Sequence, residues 1–153
     1  MTWTFTPDLA AWPAAVRPAV AAQPVPNTQL VTVIDALERQ GRDAFGSEPP
    51  LFGSWTGADG QVAGAVVRCP PHPLLIGALP AEAVRELGAA LAAEPALAGV
   101  DALSARREDA TELAASWGRP TEVVEENRLY RPPATASTSA WATPRSRTGW
   151  RWR

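Results

Sequence analysis

The sequence predicts a single α/β domain with a mixed, mostly antiparallel sheet of five or six strands flanked by helices. Three observations carry this. Apolar residues recur at helical spacing in four separate segments, and between the second and third of these the period shortens to that of strands. All of it lies within residues 1–131; residues 132–153 hold no Leu, Ile, Val or Phe. At 153 residues the chain has the length of one domain, able to bury roughly 70% of its unfolded surface.

The first helix is expected over residues 8–22, with Thr6 or Asp8 as N-cap and Trp12, Val16 and Val20 on one face, although Pro13 and Pro18 weaken it. Pro24 and Pro26 end it. Asn27 then caps a second helix whose stripe is Leu30, Val33, Ile34 and Leu37, and which Gly41 stops. Strands follow at 51–55 and 61–67, joined by a turn containing Asp59-Gly60, a hairpin signal. After the Pro-rich connector from Cys69 to Pro73, Leu74-Leu-Ile76 reads as a short buried strand. Pro80 opens a helix over 81–93 with Val84, Leu87 and Leu91 inward. A weak strand at 100–103, a helix over 108–117 closed by Gly118 and a terminal strand at 122–130 complete the order. Phe52, Trp55, Trp117 and Tyr130 are read as core or core-edge aromatics.

Composition excludes several classes. No apolar run reaches the roughly 18 residues of a membrane span, and residues 1–8 lack the cationic start of a signal peptide, so a cytoplasmic protein without a membrane partner is expected. One cysteine, Cys69, and one histidine, His72, provide neither an intrachain disulfide nor a Cys/His metal cage. Charge is uneven. Residues 1–130 carry 9 Arg and 16 acids, a net of −7, whereas residues 131–153 carry 5 Arg and no acid. The tail's Pro, Ala, Thr, Ser, Arg and Trp predict disorder and match what a shifted reading frame of GC-rich DNA gives.

Three stretches carry a family resemblance: Pro50-Leu-Phe-Gly-Ser-Trp55 with its hairpin, Pro70-Pro-His-Pro-Leu-Leu-Ile-Gly-Ala-Leu-Pro80, and Arg128-Leu-Tyr-Arg131. Together with the order of elements they resemble the N-terminal half of tandem GNAT-type (GCN5-related) N-acetyltransferases of actinobacterial type, across about residues 3–131. The resemblance implies a GNAT-like sheet and acyl transfer from acetyl-CoA to an amine. It also implies that the cofactor belongs to the second half. GNAT enzymes grip the cofactor's diphosphate with a Q/R-x-x-G-x-G/A turn whose amides point at the phosphates. Here the corresponding turn has Gly77 alone, Pro80 without an N–H, and Glu82 in the first turn of the helix. The expectation is a non-catalytic half, cut short before the cofactor-binding half, with no cofactor-binding residue of its own. Its partner would be the missing C-terminal half, or a second copy docked through an exposed apolar face.

Other candidates have plain readings. Cys69 and His72 could form a nucleophile pair, but nothing nearby orients the histidine, so they read as a strand-end cysteine and a loop histidine. Ser54, Ser47 and Glu48 lack a nucleophile elbow and read as solvated loop residues. Glu108-Asp109 and Glu125-Glu126 read as surface acids, the first pair complementing a helix dipole. A general base on the strands before the cofactor turn is missing, since they hold apolar residues and Arg68. Trp141, Trp150 and Trp152 among the tail arginines suit single-stranded nucleic acid or an anionic membrane, yet four Arg hold phosphate weakly at cellular salt, so neither partner is expected. No catalytic, cofactor-binding or metal-ligating residue is therefore assigned. The alternative to the acyltransferase half is a free-standing interaction module without enzymatic activity, and a third reading is an acetyltransferase that binds acetyl-CoA without the usual turn.

Overall fold

The computed structural model describes residues 1–126. Five strands form one sheet in the order β1 (Thr2–Thr6), β2 (Leu51–Thr56), β3 (Val62–Arg68), β4 (Leu74–Ile76) and β5 (Leu103–Ser104). The first four are antiparallel neighbours, and β5 pairs parallel to β4. Four helices, α1 (Val16–Ala21), α2 (Thr28–Gln40), α3 (Ala81–Ala93) and α4 (Arg107–Trp117), flank the sheet. The fold is thus α/β with a mixed, mostly antiparallel sheet, as the sequence predicts.

Strand alternation divides the core between the two faces of the sheet. Val66 joins Leu74, Ile76, Leu87, Leu91, Leu113 and Trp117 beneath α3 and α4. Its neighbours Ala65 and Val67 turn the other way, to Val16, Val20, Leu30, Ile34 and Leu37 of α1 and α2. In β2, Phe52 serves the second cluster and Trp55 the first. The hairpin between β2 and β3 uses its turn residues as expected. Gly60 takes φ +76°, Asp59 Oδ1 accepts from Gln61 N at 2.9 Å, and Gly57 N donates to Gln61 O at 2.9 Å.

The N-terminal region departs from the expectation. Residues 2–6, Thr-Trp-Thr-Phe-Thr, form strand β1, paired with β2 from Thr2↔Thr56 to Thr6↔Phe52. Trp3 and Phe5 stack at 5.9 Å on one side of it. The helix expected over 8–22 is two pieces. Asp8 caps a 3-10 turn, Leu9–Ala11, accepting from Ala10 N at 2.9 Å, and α1 begins only at Val16. Pro13 is the cause, because a residue preceding proline is driven out of helical geometry, and Trp12 has ψ 133°. Pro18 sits in the first turn of α1, where its missing N–H is not needed. The apolar stripe survives the break, and Trp12, Val16 and Val20 are all buried.

At the other end, β5 lies at 103–104 and not at 100–103. Val100 instead packs in the core after a 3-10 turn, Pro95–Leu97. Gly118, at φ +69°, ends α4 in left-handed geometry. Residues 122–126 form no strand; 127–130 of that predicted strand, with Tyr130, lie outside the described residues, as does the 132–153 tail. Among the described residues, two side chains tie this stretch to the domain: Arg119 Nη1 donates to Val100 O at 3.3 Å and Arg107 Nη1 to Glu126 Oε1 at 2.7 Å. Both contacts span 19 residues, so the chain from 119 to 126 runs in the same direction as 100 to 107. Among the described residues no helix is long and apolar enough to cross a membrane.

Candidate functional site

The turn between β4 and α3 is where the sequence places the question of cofactor binding. Antiparallel pairing brings Ile76 opposite Val66, and the chain then leaves the sheet through Gly77, Ala78 and Leu79. Every one of these residues is engaged with the interior. Gly77 N donates to Ala65 O at 3.0 Å, and Ala78 N donates to Asn27 Oδ1 at 2.7 Å. Arg106 Nη2 donates to Leu79 O at 2.9 Å, and its Nε donates to Asp109 Oδ2 at 2.7 Å. Pro80, in extended geometry with no N–H, is the N-cap of α3. Glu82 adds an exposed carboxylate to the first turn, with Arg85 at 3.8 Å.

Asn27 is the centre of this arrangement and the residue that sequence reasoning misassigned. It occupies the N-cap position of α2 but makes no side-chain cap. Its Nδ2 instead donates to Val20 O at 2.9 Å while its Oδ1 takes the Ala78 amide, so one amide group, 3% exposed, fastens α1 to the β4–α3 turn. A Cβ on Gly77 would stand 2.8 Å from Asn27 Oδ1 and 2.9 Å from Leu30 Cδ2, so the turn is closed by packing as well as by bonding. An amide already spent on an internal acceptor is not free to meet a phosphate oxygen. Gly77, Ala78 and Pro80 therefore offer no free N–H to the diphosphate of acetyl-CoA.

The remaining candidates fall as follows. Cys69 follows β3 and is buried, and its thiol is pushed up to about 11 by the loss of water around it. His72 is exposed on the following turn, its ring edge-on to Phe45 at 6.3 Å, and it meets Cys69 through the backbone, His72 N donating to Cys69 O at 2.9 Å. Ser54 is not a loop residue: it lies in β2 and is buried. Ser47 and Glu48 are exposed, as expected. Asp109 is not a surface acid either, being buried against Arg106, while its neighbour Glu108 stays exposed with Arg106 at 3.4 Å. Trp55 is core, but its indole Nε1 also donates to Glu86 Oε2 at 2.8 Å, a pairing no sequence signal announced. Arg68 donates to Gly99 O. Among the described residues no group of three His, Cys, Asp or Glu side chains is placed to hold a metal.

The Cys69 thiol makes a direct prediction. At neutral pH it is held protonated, so iodoacetamide should label it roughly two orders of magnitude more slowly than a free cysteine, measured by mass shift. Because the folded value lies above that of the unfolded chain, the thiol's contribution to stability is complete below the free-thiol range near ~8.5 and is lost as pH rises through about 11. Labelling at pH 7 as fast as that of a free thiol would contradict this placement.

Apolar exposure is limited in extent. The large hydrophobic side chains left exposed among the described residues are Met1, Val25 and the adjacent Val123 and Val124, the last two 83% and 85% exposed. No family model matches this chain, and neither the curated proteins nor the solved structures include one similar to it.

Proposed function

We propose that this chain is the non-catalytic N-terminal half of a tandem GNAT-type N-acetyltransferase, working in the cytoplasm, with acetyl-CoA held by a partner half. The single observation that supports this reading most is the β4–α3 turn. Gly77 N and Ala78 N are both bound internally, Pro80 contributes no donor, and Glu82 brings negative charge to the helix start. A diphosphate needs the reverse, namely several free amides converging at a helix N-terminus. The turn's role in this reading is mechanical. It ties α1, through Asn27, and α4, through Arg106, to the core strand β4, which makes a firm body against which a catalytic half can pack. Val123 and Val124 supply the apolar contact that such packing would cover.

Calorimetric titration tests the reading directly. The isolated chain should show no heat of binding with acetyl-CoA at concentrations up to about 1 mM, where even a weak site of about −4 kcal/mol would be half filled. A Kd in the micromolar range would overturn it in favour of an acetyltransferase that grips its cofactor without the usual turn.

A further inference from the structure

The two edges of the sheet differ in how they are finished. At one, β5 is two residues long, with Arg119 tied to Val100 before it and Glu126 to Arg107 after it. At the other, all five residues of β1 pair with β2, and among the described residues no strand lies on the far side. Natural edge strands are blunted by a charge, a proline or a bulge. Thr2–Thr6 contains none of these, and Pro7 comes only after it.

The register shows which backbone groups that edge leaves open, because successive residues of a strand bond to opposite sides. Gly77 N bonds to Ala65 O, so Ala65 faces β4 and its neighbour Val66 faces β2, where it meets Gly53. Gly53 therefore turns to β3, while Phe52, Ser54 and Thr56 turn to β1 and meet Thr6, Thr4 and Thr2. The amides and carbonyls of Trp3 and Phe5 are left pointing away from the sheet. Among the described residues the one hydrogen bond to these four groups is from Thr2 Oγ1 to Trp3 O at 3.3 Å, a long contact within the strand itself. The strand is nonetheless firmly placed: Trp3 Nε1 donates to Ala83 O at 3.1 Å, and the Trp3 and Phe5 rings stack beside α3.

We propose that β1 pairs edge to edge with β1 of a second copy of this chain, antiparallel about a two-fold axis at Thr4, so that the two sheets become one. The sequence of the strand selects this occupant. Thr-Trp-Thr-Phe-Thr has the same pattern of side chains in both directions about its centre, so the antiparallel register sets Thr2 against Thr6, Trp3 against Phe5 and Thr4 against Thr4 of the other copy. Thr–Thr and aromatic–aromatic pairs are among the favourable cross-strand pairs, and the strand brings no like charges together. The same register uses every open backbone group. Trp3 N–H donates to Phe5 O of the second copy and Phe5 N–H to its Trp3 O, and the two-fold axis repeats both bonds. The contact is isologous and closes at two copies. It depends neither on the acyltransferase reading nor on Val123 and Val124.

The test is sedimentation equilibrium of the full chain. One short strand from each copy is a small contact beside the roughly 1,200–2,000 Å2 of stable complexes, so a dimer with a Kd of about 100 μM is expected. Thr4 is exposed and sits on the axis, where residues directly opposite in a non-hydrogen-bonded pair approach to about 4.5 Å between Cα atoms. Thr4→Lys and Thr4→Glu should each keep the monomer's melting temperature and weaken self-association about tenfold or more, because like charges then face each other. An equimolar mixture of the two should recover association as a heterodimer, which happens only if residue 4 meets residue 4. Hydrogen exchange gives a second readout: the Trp3 and Phe5 amides should gain protection with rising concentration, whereas the Thr4 amide, bonded to β2, is protected throughout. A chain that stays monomeric at about 1 mM would overturn the proposal, as would charge variants that dimerise like the unaltered protein or a mixture that fails to pair. Trp3 and Phe5 amides indifferent to concentration, or a dimer lost when residues 132–153 are deleted, would overturn it equally, since the contact would then lie elsewhere.

Discussion

Asn27→Ala is expected to lower stability by about 3 kcal/mol: it leaves the Ala78 amide unsatisfied at a cost of about 1–3 kcal/mol and removes a second buried hydrogen bond worth about 1 kcal/mol from Val20 O, which keeps Gln23 N at 3.3 Å. The side chain is 3% exposed and bonds at 2.9 Å to Val20 O and at 2.7 Å to Ala78 N, so the orphaned Ala78 amide is not within easy reach of water. For a chain of this length the loss corresponds to a fall in Tm of about 10 °C. A local readout separates this role from general loosening: the Ala78 amide should lose its protection against hydrogen exchange well before amides of α3 do. Asn27→Asp refines the expectation, because it keeps the acceptor for Ala78 but turns a second oxygen towards the Val20 carbonyl. That variant should be destabilised at neutral pH and partly restored in acid, where a protonated carboxyl can donate again. A loss below about 1 kcal/mol for the alanine variant, with Ala78 still protected, would remove the brace from the account of the β4–α3 turn.

Much of the fold was legible because its signals are local. The stripe Leu30, Ile34 and Leu37, the Asp59-Gly60 hairpin, the short run Leu74–Ile76 and the helix over Ala81–Ala93 all emerge where period and turn chemistry place them. The first strand was as legible and was not read: Thr2–Thr6 alternates strictly, with Trp3 and Phe5 on one side. Its five residues precede a proline and a capping aspartate, and they read as a lead-in to the helix that follows. The site was less accessible, for a physical reason. Pro80 and Glu82 pointed to a turn poor in phosphate donors, but the occupied amides were not legible: Gly77 N goes to Ala65 O on the neighbouring strand, and Ala78 N goes to Asn27, 51 residues away in sequence. An asparagine after two prolines satisfies every rule for a helix cap, and only the packing of α1 against β3 brings Val20 O and Ala78 N close enough to outbid the α2 amides. Asp109 illustrates the same limit. Its position in the first turn of α4 was correct, while its burial depends on Arg106 reaching Leu79 O from the far side of the turn.

Gly88→Val is expected to be at least as damaging, at about 4 kcal/mol, because α3 and α4 touch through that glycine. A Cβ built on Gly88 would stand 2.3 Å from Ser116 Cβ and 3.0 Å from its Oγ, a separation no rotamer of serine relieves. The helices must part, and in parting they loosen Leu87 and Leu91 from Leu113 and Trp117. Gly88→Ala sets two effects of known sign against each other. Alanine gains about 1 kcal/mol of helix propensity, whereas the overlap costs about 1–3 kcal/mol. With a contact this short the overlap should win, giving a net loss of about 1–2 kcal/mol in urea unfolding. Ser116→Gly removes the obstructing atoms, so in its presence Gly88→Ala should become neutral or stabilising, with a coupling energy of about 1–2 kcal/mol between the two positions. If the two substitutions proved simply additive, the close approach of α3 and α4 at this point would be refuted, and with it the tight half of the core that makes this face of the sheet rigid.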